Sequence, residues 1–111
     1  MVKIVKRPWG NFKQFVLNNK CTVKILEVNP GEELSLQKHR KRKEMWYFLT
    51  NGVVLIGNKK KNIRKTQIIN IGKNVAHRLI AENKKVQVLE VSFGEFNEND
   101  EIKLEDKYKR K

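Results

Sequence analysis

Short runs of alternating apolar and polar residues dominate the chain, turn-forming residues separate them, and helical periodicity is scarce. Residues 11–17 read as a first strand after Pro8-Trp9-Gly10. Residues 21–28 set Val23, Ile25 and Glu27 against Lys24, Leu26 and Val28, then stop at Asn29-Pro30-Gly31, a strong turn. Residues 33–39 and 44–49 follow as strands, the second closed by Thr50-Asn51-Gly52, where Asn-Gly predicts a tight hairpin turn. Strands are then expected at 53–56, 63–69, 77–81 and 85–94, with Lys59-Lys60-Lys61 at a solvated hairpin tip and a turn at 71–74. Residues 97–111 read as an irregular or weakly helical tail. Many short strands at near-regular spacing predict an all-β sandwich or small barrel, with 1–111 forming one domain.

Composition narrows the setting. A chain of 111 residues buries a real core without disulfides. No stretch approaches the ~18 apolar residues of a membrane span, and the first residues hold no signal-peptide core. The single cysteine, Cys21, lies in an alternating run and reads as a small buried hydrophobe. These features predict a soluble, cytoplasmic protein. The net charge of +13 raises nucleic acid as a partner. Against it, the 25 basic residues are mostly Lys, only six are Arg, and the lysines are spread along the chain. A solvated basic surface, or attraction of small anionic substrates, accounts for the charge more simply.

The candidate chemistry rests on Gln37, His39, Glu44 and His77. The chain has two histidines, and both fall in this set. Two imidazoles, a carboxylate and an amide oxygen suit Zn²⁺, Mn²⁺, Fe²⁺ or Co²⁺ with a position open for substrate. Gln37 and His39 are two apart, so on a strand they share a face. Glu44 opens the next strand, which as a hairpin partner would return its carboxylate to that pair, and His77 opens a later one. Trp46 is in phase with Glu44 and is expected in the core or the pocket wall.

The order Gly31, Gln37, His39, Glu44, Gly52 is similar to the first cupin motif, and His77 after Gly72-Lys73-Asn74 to the second. Further blocks narrow the match: Arg7-Pro8-Trp9-Gly10, Asn29-Pro30-Gly31-Glu32, Leu34-Ser35-Leu36-Gln37-Lys38-His39, His77-Arg78-Leu79, Gly94-Glu95-Phe96 and Glu105-Asp106-Lys107-Tyr108. Together they resemble the C-terminal isomerase domain of type II mannose-6-phosphate isomerase/mannose-1-phosphate guanylyltransferase, standing alone. The resemblance implies a single cupin (double-stranded β-helix, or jelly-roll) barrel with a short irregular or helical C-terminal tail, and a homodimer.

It also implies a metal-dependent interconversion of mannose 6-phosphate and fructose 6-phosphate, with Gln37, His39, Glu44 and His77 as metal ligands. Arg42 would stabilise developing charge or hold phosphate, and Lys103 would stand in for a tail arginine. Lys107 and Arg110 would bind the phosphate. Arg78, next to His77 on a strand, should face away from it and reads as structural. The general base is left open between a metal-supplied hydroxide and a carboxylate such as Glu95. Two other readings accompany this one. One is a non-catalytic sugar-phosphate or nucleotide-sugar binding cupin that partners a guanylyltransferase. The other is a cupin isomerase or epimerase acting on another sugar.

Overall fold

The alternation at Cys21–Val28 is realised as an eight-residue strand whose Leu26 and Val28 face inward while Val23 and Ile25 stay exposed. In this computed structural model, which describes residues 2–97 and 99–105, all regular structure is β. The strands are β1 (Lys3–Arg7), β2 (Gly10–Gln14), β3 (Cys21–Val28), β4 (Leu36–Lys38), β5 (Glu44–Phe48) and β6 (Gly52–Ile56). They continue as β7 (Lys59–Ile63), β8 (Ile68–Ile71), β9 (His77–Ile80), β10 (Val86–Phe93) and β11 (Ile102–Glu105).

One sheet has the order β3-β10-β5-β8, the other β11-β4-β9-β6-β7, and β1-β2 is a separate hairpin. Both larger sheets feed one core. Val28, Trp46, Phe48, Val86 and Val88 come from the first, and Val54, Ile63 and Leu79 from the second. Trp46, Phe48, Val54, Leu79 and Val88 are fully buried. This all-β architecture is the one the alternation predicts.

Several local expectations change. The start of the chain is a hairpin, not one strand over 11–17: the chain reverses at Pro8-Trp9, and Gly10, at φ 144°, opens β2 opposite Arg7. The strand β1 was hidden because its five residues are mostly charged and exposed. Lys59-Lys60-Lys61 lie within β7 rather than at a tip, since the turn falls at Gly57-Asn58, where Gly57 takes φ 61°. The run 63–69 is split, because Thr66 at φ 75° sits in the turn between β7 and β8. Asn51-Gly52 does not close a hairpin, since β5 and β6 belong to different sheets. Gly52 is there for space: a Cβ would lie 2.8 Å from Val86 Cγ1 and 2.9 Å from Phe48 Cε2. Cys21 is half-buried, not enclosed.

The tail holds the last correction. Residues 102–105 form β11, paired antiparallel with β4, where a helix or irregular chain was expected. Arg78 fixes it there. Its guanidinium donates to Leu34 O, Glu105 Oε1 and Glu105 O, at 2.8, 2.9 and 3.2 Å. Arg78 thus ties β9 to β11 and to the backbone at Leu34.

Candidate metal centre and cavity

The four predicted ligands converge from both sheets. Gln37 on β4 pairs directly with His77 on β9. His39 follows β4, and its carbonyl accepts from Asn74 N at 2.7 Å. Asn74 supports this turn at φ 62°. Glu44 arrives from the facing sheet, at the start of β5, not by a hairpin return from β4.

One ligand atom each from His39, Glu44 and His77 lies within 4.8 Å of the others. Glu44 Oε1 stands 3.7 Å from His39 Nδ1 and 3.5 Å from His77 Nε2, separations too long for hydrogen bonds but apt for a shared third partner. All three residues are at most 3% exposed.

The polar accounting fits a cation. Gln37 Oε1, Glu44 Oε1 and His77 Nε2 are buried with no hydrogen-bond partner among the described residues. Each orphan of this kind costs about 1–3 kcal/mol if nothing satisfies it. His77 is oriented by Val75 O, 2.8 Å from Nδ1. A proton on Nδ1 makes that bond and leaves the Nε2 lone pair facing Glu44. Arg42 has only donors, so its Nη2, 2.8 Å from His39 Nε2, makes that nitrogen an acceptor and puts the His39 proton on Nδ1. Holding a cation through Nδ1 therefore requires that proton to leave and Arg42 to release Nε2.

Arg42 is buried and fully engaged. It donates from Nε to Glu44 Oε2 at 3.2 Å and from Nη1 to Asn97 O at 3.1 Å, and lies 4.4 Å from the Phe96 ring centre. Ser92 Oγ donates to the same Glu44 Oε2 at 2.8 Å.

Electrostatics follow this packing. Burial alone would push the Glu44 carboxyl up; His77, His39, Ser92 and Arg42 outweigh it and hold it below its ordinary range. Burial lowers His39, aided by Arg42 and His77 against the pull of Glu44, which favours the neutral imidazole that ligation needs.

Beside these residues opens a cavity of about 460 Å³. Gln37, His39, Arg42 and Glu44 line it, as do Lys24, Glu90, Phe96, Glu101 and Lys103. Lys103 lines the cavity, 3.7 Å from Glu101. Glu95 is not brought there; its side chain is 84% exposed, beside Lys20 at 3.9 Å. Lys107 and Arg110 lie outside the described residues.

The sequence reading missed Glu90 and Lys24. Glu90 is 8% exposed, and Trp46 Nε1 donates to its Oε2 at 3.0 Å. Burial, then the Glu44 charge, raises its carboxyl despite that bond. A signal was present: Glu90 interrupts the inward series Val86, Val88, Ser92 of β10, as Lys24 interrupts Leu26 and Val28 of β3.

Residues 1–106 match the family of the mannose-6-phosphate isomerase C-terminal domain. The chain belongs to that family. It is 36% identical over 110 residues to mannose-1-phosphate guanylyltransferase 2 of Escherichia coli O157:H7, covering 95% of this chain and 22% of that protein. It thus spans about a fifth of that relative's length. Among solved structures, it resembles the capsular polysaccharide assembling protein CapF of Staphylococcus aureus at TM-score 0.71 and 15% identity, over 96% of this chain and 35% of CapF. A cupin protein of Bacteroides fragilis matches at TM-score 0.63 and 15% identity, over 76% of each chain. The fold of this family member is accordingly that of a cupin.

Proposed function

We propose that this domain is a metal-dependent aldose-ketose isomerase interconverting mannose 6-phosphate and fructose 6-phosphate. The observation that carries the reading is the trio of buried, unpartnered ligand atoms, Gln37 Oε1, Glu44 Oε1 and His77 Nε2, at a cavity large enough for a small phosphorylated sugar. Family membership directs that chemistry to a hexose phosphate.

Gln37, His39, Glu44 and His77 would hold a divalent ion, Zn²⁺, Mn²⁺, Fe²⁺ or Co²⁺. When bound, such an ion polarises the sugar oxygens at C1 and C2 and lowers the cost of negative charge there. The protein does the rest. Arg42 fixes the Glu44 carboxylate and adds positive charge behind it. Lys24 and Lys103 give the cavity wall cations suited to phosphate, and Lys107 and Arg110 are proposed to extend that set from the chain beyond β11. Phe96, Leu26 and Leu34 supply an apolar wall that limits water and strengthens these interactions.

We further infer a homodimer and a cytoplasmic setting. No described helix is long and apolar enough to cross a membrane. A second reading, a binding cupin that partners a guanylyltransferase, draws on the relative named for that activity, of which this chain spans 22%.

The deciding assay measures fructose 6-phosphate formed from mannose 6-phosphate by chelator-stripped protein, with each metal restored singly. Turnover restored by one ion in the parent protein and absent from His39→Ala, with bound metal lost from that variant by elemental analysis, is the expected result. Tight metal and sugar-phosphate binding without turnover would move the assignment to the binding cupin.

A further inference from the structure

We infer that Glu90 is the group that carries the proton between C2 and C1 of the bound sugar phosphate, an inference that rests on the isomerase reading above. Among the described residues, three carboxylates line the cavity: Glu44, Glu90 and Glu101. Glu44 is committed on both oxygens. Oε1 faces the two imidazoles, and Oε2 accepts from Arg42 and Ser92. Glu101 is committed to charge partners, with Lys103 at 3.7 Å and His39 Nε2 at 3.9 Å, and is 27% exposed, where water competes for any proton it takes.

Glu90 differs from both. It is nearly buried, and among the described residues its carboxylate is hydrogen-bonded by Trp46 Nε1 alone, through Oε2. That single bond fixes the direction of the group and leaves it capacity for another partner. Its place in the sheet points the same way. In the β10–β5 register Glu90 lies opposite Trp46, and Ser92 lies opposite Glu44. Glu90 and Glu44 therefore share the inward face as diagonal neighbours, whose Cα atoms are typically about 7–8 Å apart. A sugar whose oxygens reach the ligand cluster has its adjacent carbons within range of a carboxylate so placed.

The step balances without an oxidant. The Glu90 carboxylate removes the proton on C2. The electrons of that C–H bond form the C1=C2 double bond, and the C1 carbonyl oxygen takes up the charge. The hydroxyl proton on the C2 oxygen passes to the C1 oxygen. The double-bond electrons then collect the stored proton from Glu90 at C1, and the C2 oxygen becomes the ketone. The buried position, with a single hydrogen bond from Trp46, suits both halves, because a group that is too stable as an anion would not abstract the proton.

The test compares the parent protein with Glu90→Gln and Glu90→Asp, all loaded with the same metal, in ²H₂O. Glutamine keeps an oxygen for the Trp46 bond and cannot accept the proton. Glu90→Gln is expected to lower kcat by about 10²- to 10⁴-fold while KM changes by less than about threefold. Deuterium uptake at C2 of recovered mannose 6-phosphate should vanish, with metal content unchanged, and Glu90→Asp should recover part of both. A parent that turns over and a Glu90→Gln variant with unchanged kcat would overturn the role of Glu90 and leave the isomerase standing. Loss of metal or of folding in Glu90→Gln, with no loss in Glu90→Asp, would overturn it in favour of a structural role for the Trp46 bond. A parent that neither turns over nor exchanges deuterium would overturn both readings.

Discussion

A carboxylate, an amide and two imidazoles with three unpartnered atoms are costly to bury, at about 1–3 kcal/mol for each orphan. The domain retains them at its centre, where apolar residues would stabilise the fold more, as functional sites commonly do. Glu90 adds to that cost in a pH-dependent way. Burial raises its carboxyl above the ordinary value of 4.5, so between 4.5 and its folded-state value the native protein holds a proton that the unfolded chain has released. Stability then falls as pH rises through that window. In chelator-treated protein, Glu90→Gln should therefore raise Tm at pH 7, and the gain should shrink to nothing below about pH 4.5. Calorimetry across that range is the check, and a variant less stable than the parent at pH 7 would contradict the sign.

At the scale of elements, the site depends on where strands end. The centre is built from the start of β5, the start of β9 and the residue after β4, so small shifts in packing propagate to it. Gly52, which carries the chain from one sheet to the other, is the tightest such point, with Val86 Cγ1 and Phe48 Cε2 under 3 Å from any added Cβ. Gly52→Ala should destabilise the fold by about 1–3 kcal/mol through overpacking, measurable as a lower denaturant midpoint at unchanged slope. An unaffected midpoint would mean that Phe48 moves aside without cost. The same region shows what could be read beforehand. Alternation located β3, β6, β9 and β10 within a residue or two, because each has one face in the core. It missed β1 and β7, whose residues are mostly exposed and so carry no inside-outside contrast.

For the molecule as a whole, the two sheets treat their edges differently. The β7 edge carries Lys59, Lys60 and Lys61, all exposed, which discourages pairing with another strand. The β3 edge presents Val23 and Ile25, 54% and 59% exposed. If two copies associate, as proposed, β3 is the edge physically suited to it. Val23→Lys with Ile25→Lys should convert a dimer to a monomer in light scattering behind size exclusion, with the metal content of each chain retained. A parent that is monomeric at high concentration would remove the dimer from the proposal. The charge of +13 belongs to this scale too: it is spread over exposed lysines, while Lys24, Arg42 and Lys103 reach the cavity.

The sequence by itself determined the all-β class, the family, and the identity of the metal-ligand candidates, because period-two alternation and ligand spacing are local properties of the chain. The tertiary structure decided what faces what. It brought Glu44 to the histidines across two sheets, turned the tail into β11, left Glu95 at the surface and placed Glu90 in the cavity. Those outcomes depend on which strands pair, and pairing is set by burial summed over the whole core, which no single stretch of sequence contains.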